Sequence, residues 1–127
     1  MVELLLQHGA DFNETSNNGQ TVVHVASSKG YEDILSILLK HGADLNVKTT
    51  DQNTALHLAC FANSANCCEL LITAGININE QNRFGSTALH WACKADATEA
   101  AQLLLRYNAD HTILNKVCYN LSYIIIF

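Results

Sequence analysis

The sequence predicts an all-α solenoid: helix-turn-helix units stacked side by side and joined by β-hairpin loops. Two observations predict it. One phrase recurs at a step of 33 residues, as Thr21-Val22-Val23-His24-Val25-Ala26, Thr54-Ala55-Leu56-His57-Leu58-Ala59 and Thr87-Ala88-Leu89-His90-Trp91-Ala92. A second keeps the same step, as Leu5-Leu6, Leu38-Leu39, Leu71-Ile72 and Leu104-Leu105, each followed by a short turn. Self-similarity at such a period marks a unit that cannot bury its apolar face alone and must stack on its neighbours.

Each unit opens on a Thr whose hydroxyl can accept a free N–H of the first helical turn. The His three positions later (His24, His57, His90) can reach back toward that Thr, as Glu does in a capping box. Small Ala26, Ala59 and Ala92 let neighbouring helices approach closely. Gly30, Asn63 and Asp96 suit the turn that ends the first helix, because they tolerate positive φ better than other residues.

The second helix shows the apolar spacing of a buried face: Ile34, Leu35, Leu38 and Leu39, then Leu70, Leu71 and Ile72, then Ala100, Ala101, Leu104 and Leu105. Asp33 and Glu99 fall in its first turn, where the helix dipole favours acids. Gly42, Gly75 and Asn108 close it as left-handed caps. Exposed hairpins follow over 46–53 and 79–86, with an equivalent over 13–20.

With these residues in place, the chain resembles the ankyrin-repeat family over nearly its whole length, the T-x-L-H-x-A phrase being the family's signature. Three full repeats, 16–48, 49–81 and 82–114, lie between partial repeats at 1–15 and 115–127. The family usually carries Pro after the Thr, where Val22, Ala55 and Ala88 stand here. Pro suits that first helical position, so its absence costs rigidity rather than the fold.

The resemblance implies a non-catalytic module that binds a protein partner through hairpin tips and the concave face of the first helices. Carried over by position, the partner-binding residues are Thr50, Asp51, Asn53, Arg83, Phe84 and Ser86 on the hairpins and Lys29, Phe61 and Lys94 on the helices, with Ser28, Ala62 and Ala95 beside them. Phe61 aligns with Ser28 and Lys94, and Phe84 with Asn18 and Asp51. Aromatics that replace polar residues at exposed slots are either contact residues or ordinary apolar surface. Trp91 shares a slot with Val25 and Leu58 and is expected chiefly in the core, the alternative being an edge that reaches the concave face. A regulatory or substrate-positioning segment of a larger enzyme or channel is the alternative function. The resemblance also implies that Asn13 and Asn46, each closing a G-A-D-x-N phrase, are candidate substrates of an asparaginyl hydroxylase.

Composition bounds the remaining classes. The chain has 127 residues, is 49% apolar and carries a net charge of −5. That balance argues against nucleic acid, whose binders concentrate Lys and Arg. The start Met1-Val2-Glu3-Leu4 lacks a basic leader, and the apolar run Ile124–Phe127 is too short to span a bilayer, so no membrane partner is expected. Five cysteines at repeat positions read as reduced thiols of a cytoplasmic or nuclear protein rather than a disulfide framework.

His57-x-x-Cys60 and His90-x-x-Cys93 have zinc-ligand residue types, and Cys67-Cys68 is a vicinal pair. All sit on slots with structural work to do, so no metal or cofactor is expected. No nucleophile–base pair, phosphate loop or paired-carboxylate site is present, which argues against an enzyme. The incomplete ends fit either a piece of a longer array or ends covered by something else. Leu4, Leu5, Ile124, Ile126 and Phe127 could bring the head of one molecule to the tail of another in weak self-association, or the tail could fold back on its own last repeat.

Overall fold

Every first helix starts on the expected Thr–His pair. In the computed structural model, which describes residues 15–110 and 112, the backbone N–H of Thr21, Thr54 and Thr87 donates to Nδ1 of His24, His57 and His90 at 3.0, 3.2 and 2.9 Å. The N–H groups of His57 and His90 donate in return to the Thr54 and Thr87 hydroxyl oxygens, each at 3.4 Å. The reciprocal box satisfies two amide groups that a bare helix start leaves orphaned.

Six helices follow among the described residues, in three pairs: α1 Val22–Lys29 with α2 Glu32–Lys40, α3 Ala55–Phe61 with α4 Ala65–Thr73, and α5 Ala88–Lys94 with α6 Thr98–Arg106. The turn inside each pair is left-handed at Gly30, Asn63 and Asp96, with φ of 72°, 54° and 54°. The next amide bonds back across the turn, from Tyr31 to Ala26, Ser64 to Ala59 and Ala97 to Ala92, at 2.9, 2.9 and 2.7 Å. Left-handed Gly42, Gly75 and Asn108 end the second helices, as expected.

The helices form two layers. α3 packs between α1 and α5, α4 packs between α2 and α6, and each pair closes on itself. Ala26, Ala59 and Ala92 are buried where the first helices meet, because only a methyl group fits that approach. Leu35, Leu38, Leu56, Leu71, Leu89 and Leu104 fill the space between the layers. Cys67 and Cys68 are both buried there, whereas one of the two is half-buried at the aligned positions Ile34 and Leu35.

The hairpins are tight turns with no strand among the described residues. Two backbone bonds close each: Ser16 N–H to Gln20, Thr49 to Asn53 and Asn82 to Ser86, at 2.9, 3.0 and 2.9 Å, and inside them Gly19 N–H to Ser16, Gln52 to Thr49 and Gly85 to Asn82, at 2.9, 2.8 and 3.0 Å. One more ties each to the next, Thr50 N–H to the Asn18 carbonyl at 3.0 Å and Arg83 N–H to the Asp51 carbonyl at 2.9 Å. Two bonds per loop make a turn rather than a strand ladder, yet the pair repeats along the array. Gly19, Gln52 and Gly85 share the left-handed position of these turns, with φ of 78°, 64° and 76°.

The expected helix around Leu5-Leu6, the turn at His8–Asp11, Asn13, the tail with Cys118 and Asn120, and the apolar ends proposed for self-association all lie outside the described residues.

Candidate protein-binding surface

Along each first helix, side chains three and four positions apart share a face. The face turned away from the second-helix layer carries Val25, Ser28 and Lys29 on α1, Leu58 and Phe61 on α3 with Ala62 capping its end, and Trp91 and Lys94 on α5 with Ala95 capping its end. Lys29, Phe61 and Lys94 are exposed, with Phe61 at 53%. Trp91 corrects the sequence reading. It is half-buried rather than core, and Val25 in the same slot is exposed, because this slot points out of the stack.

The Trp91 ring instead anchors an aromatic cluster. It meets Phe61 edge-on, with centroids 5.4 Å apart and planes at 66°, and it meets His57 at 5.7 Å and 83°. Edge-to-face contacts of this kind hold a ring in place beyond what burial alone supplies. Phe61 is therefore an oriented surface ring.

On the loops, Thr50, Asp51, Arg83 and Phe84 are exposed. Arg83 reaches back across one repeat: its Nη1 lies 3.4 Å from Asp51 Oδ1, and its Nη2 donates to the Thr50 carbonyl at 3.2 Å. Lys48 and Glu80 form the equivalent ion pair nearer the loop base. That pairing, with a smaller share from Asn77, holds the Glu80 carboxyl below its usual range.

Asn53 and Ser86 do not belong to the exposed set. They are 7% and 8% exposed, since their polar atoms serve the loops. Asn53 Oδ1 accepts from Asn82 Nδ2 at 2.8 Å, and the Ser86 amide donates to Asn82 Oδ1 at 3.0 Å. Asn82 Oδ1 also accepts the Phe84 amide at 2.9 Å, so this buried side chain holds the backbone that carries the exposed Phe84 ring. The sequence reading missed Asn82. Its signal was the shared slot with Ser16 and Thr49, whose side-chain oxygens accept the Gln20 and Asn53 amides in the same way.

His57, Cys60 and Cys68 are engaged within the fold. His57 Nδ1 accepts at the cap, so its proton sits on Nε2, which donates to the Ser86 carbonyl at 2.8 Å. Both ring nitrogens are thus engaged, and burial pushes the His57 pKa down to about 4. His24 is lowered in the same direction by burial; the backbone of Val47 and Asn53 opposes that shift, although Nε2 completes no hydrogen bond of good geometry.

Cys60 Sγ lies 3.3 Å from Cys68 Sγ. That contact and burial raise the Cys60 pKa well above the ordinary thiol value, while burial raises Cys67 to about 11. Nucleophiles and zinc ligands need the thiolate, which this environment disfavours. Among the described residues no group of three or more His, Cys, Asp or Glu is gathered as a metal site, and no helix is long and apolar enough to cross a membrane.

A family model described as ankyrin repeats matches residues 1–49 and 47–115, in 3 copies. The comparison with curated proteins finds no match.

Proposed function

Since the chain belongs to the ankyrin-repeat family, whose repeats generally bind proteins, we propose that it is a protein-interaction module with no chemistry of its own. The partner docks across the open face of α1, α3 and α5 and the neighbouring loop tips. The observation that carries this reading is Phe61. Its ring is half exposed, is held edge-on by Trp91, and stands where the adjacent repeats have Ser28 and Lys94. Aromatic and Arg side chains dominate the energetics of protein interfaces. Phe61, Phe84 and Arg83 supply both types, with Lys29, Thr50, Asp51 and Lys94 around them.

Affinity capture from the native cell, followed by mass spectrometry, tests it. A partner retained by the intact chain and by Glu32→Ala, but lost with Phe61→Ala and Arg83→Glu, is the expected result. A partner set indifferent to both surface substitutions sinks the assignment of this face.

A further inference from the structure

Among the described residues the acids are kept out of the first-helix layer. The net charge is −5, yet none of the three first helices holds an Asp or Glu. Their sequences are VVHVASSK, ALHLACF and ALHWACK, and their only charged side chains are Lys29 and Lys94. The acids of the described residues lie elsewhere: Glu32, Asp33, Glu69 and Glu99 on the second helices, and Asp44, Asp51, Glu80, Asp96 and Asp110 in turns and loops. Asp51 is matched by Arg83, and Glu80 by Lys48. Lys29 and Lys94 are exposed and have no carboxylate partner among the described residues. Between them stands the Phe61 ring, backed by Trp91.

Building on the interaction reading above, we infer that the partner presents an extended acidic segment to this face, with two carboxylates flanking one apolar side chain. The spacing follows from the stack. Neighbouring packed helices lie about 10 Å apart, so Lys29 and Lys94, with α3 between them, stand about 20 Å apart. An extended chain of the polyproline-II type rises about 3.1 Å per residue with three residues per turn, so acids about six positions apart meet both lysines while the residue midway, on the same edge, reaches Phe61. The pattern is acid-x-x-apolar-x-x-acid. The apolar side chain covers the Phe61 ring and the exposed edge of Trp91, and each carboxylate meets one ammonium group.

Trp91 is the single Trp of the chain and reports on this contact directly. The probe is the capped peptide Glu-Ser-Ser-Leu-Ser-Ser-Glu, titrated against the full chain by Trp fluorescence and by calorimetry. Controls replace both Glu by Gln, replace both by Lys, or bring the two Glu next to the Leu. The expected result is binding of the spaced acidic peptide at least about tenfold tighter than any control. That preference should fade as salt rises past the screening range. Lys29→Glu combined with Lys94→Glu abolishes it while leaving the thermal transition in place, and Phe61→Ala weakens the acidic and Gln peptides together.

Equal affinity for the Gln or Lys peptides overturns the acidic inference. If that binding still needs Phe61, the protein-interaction reading stands. No binding by any peptide also overturns the inference, and partner capture that depends on Phe61 then shows that only this step has failed. An oligothymidine strand bound more tightly than the acidic peptide overturns it in favour of nucleic acid.

Discussion

His57 Nε2 donates to the Ser86 carbonyl at 2.8 Å, across 29 residues of chain, while His57 Nδ1 caps the start of its own helix. One imidazole therefore does two jobs: it satisfies a helix end within a repeat and clamps the loop of the next. Doing both at once requires the neutral ring: Nε2–H can donate in either state, but protonated Nδ1 cannot accept the Thr54 amide.

That requirement makes stability depend on pH. Burial lowers the His57 pKa from 6.5 to about 4 in the folded chain. Between those values the unfolded state binds the proton and the folded state does not, so stability rises with pH. The contribution is complete above pH 6.5, is lost as pH falls toward 4, and amounts to about 3 kcal/mol. His24 shifts in the same direction. Denaturant midpoints from pH 4 to 8 should fall on the acid side, and His57→Gln should flatten the profile while lowering stability at pH 7. A profile unchanged by His57→Gln removes this histidine as the cause.

Gln52 holds φ at 64° in the slot where the neighbouring repeats have Gly19 and Gly85. A side chain there carries a strain that glycine lacks. Gln52→Gly should stabilise the chain by up to about 1 kcal/mol after the extra chain entropy of glycine is set against the relieved strain. Urea unfolding measures it, and a loss of stability would show that Gln52 makes a contact worth more than the strain.

Ala59 is fully buried on α3 between α1 and α5. Ala59→Leu forces three methylene-sized groups into a gap with no room, which should cost about 1–3 kcal/mol or more. An unchanged melting temperature would falsify the close approach of the first helices.

Phe84 is 49% exposed, and Asn82 holds its backbone amide. Phe84→Ala should weaken partner binding by more than about 1 kcal/mol while Glu32→Ala has little effect. Asn82→Ala should lower both stability and affinity, since it frees the loop as well as the ring. Calorimetry with the captured partner separates the two effects, and a reversed order of Phe84 and Glu32 places the interface elsewhere.

Most of the fold was legible because it rests on local chemistry that recurs. Thr21, Thr54 and Thr87, their histidines three residues on, and the left-handed Gly30, Asn63 and Asp96 are decided within a few residues of chain. Repetition at 33 residues then lets each copy confirm the next. The candidate surface was less legible. Asn53 and Ser86 look like exposed loop residues until the next loop covers them, and Asn82 looks like any turn Asn until its amide is seen to bond two loops at once.

The amino-acid sequence by itself determined the helix pairs, their caps and turns, and the row of slots that repeats along the first helices. Only the tertiary structure decided which of those slots face outward: Trp91 left the core to support Phe61, and Asn53 and Ser86 left the surface. The reason is the range of the interactions. Caps and turns form between residues three to five apart, whereas exposure depends on what the neighbouring repeat lays over a side chain, about 30 residues away.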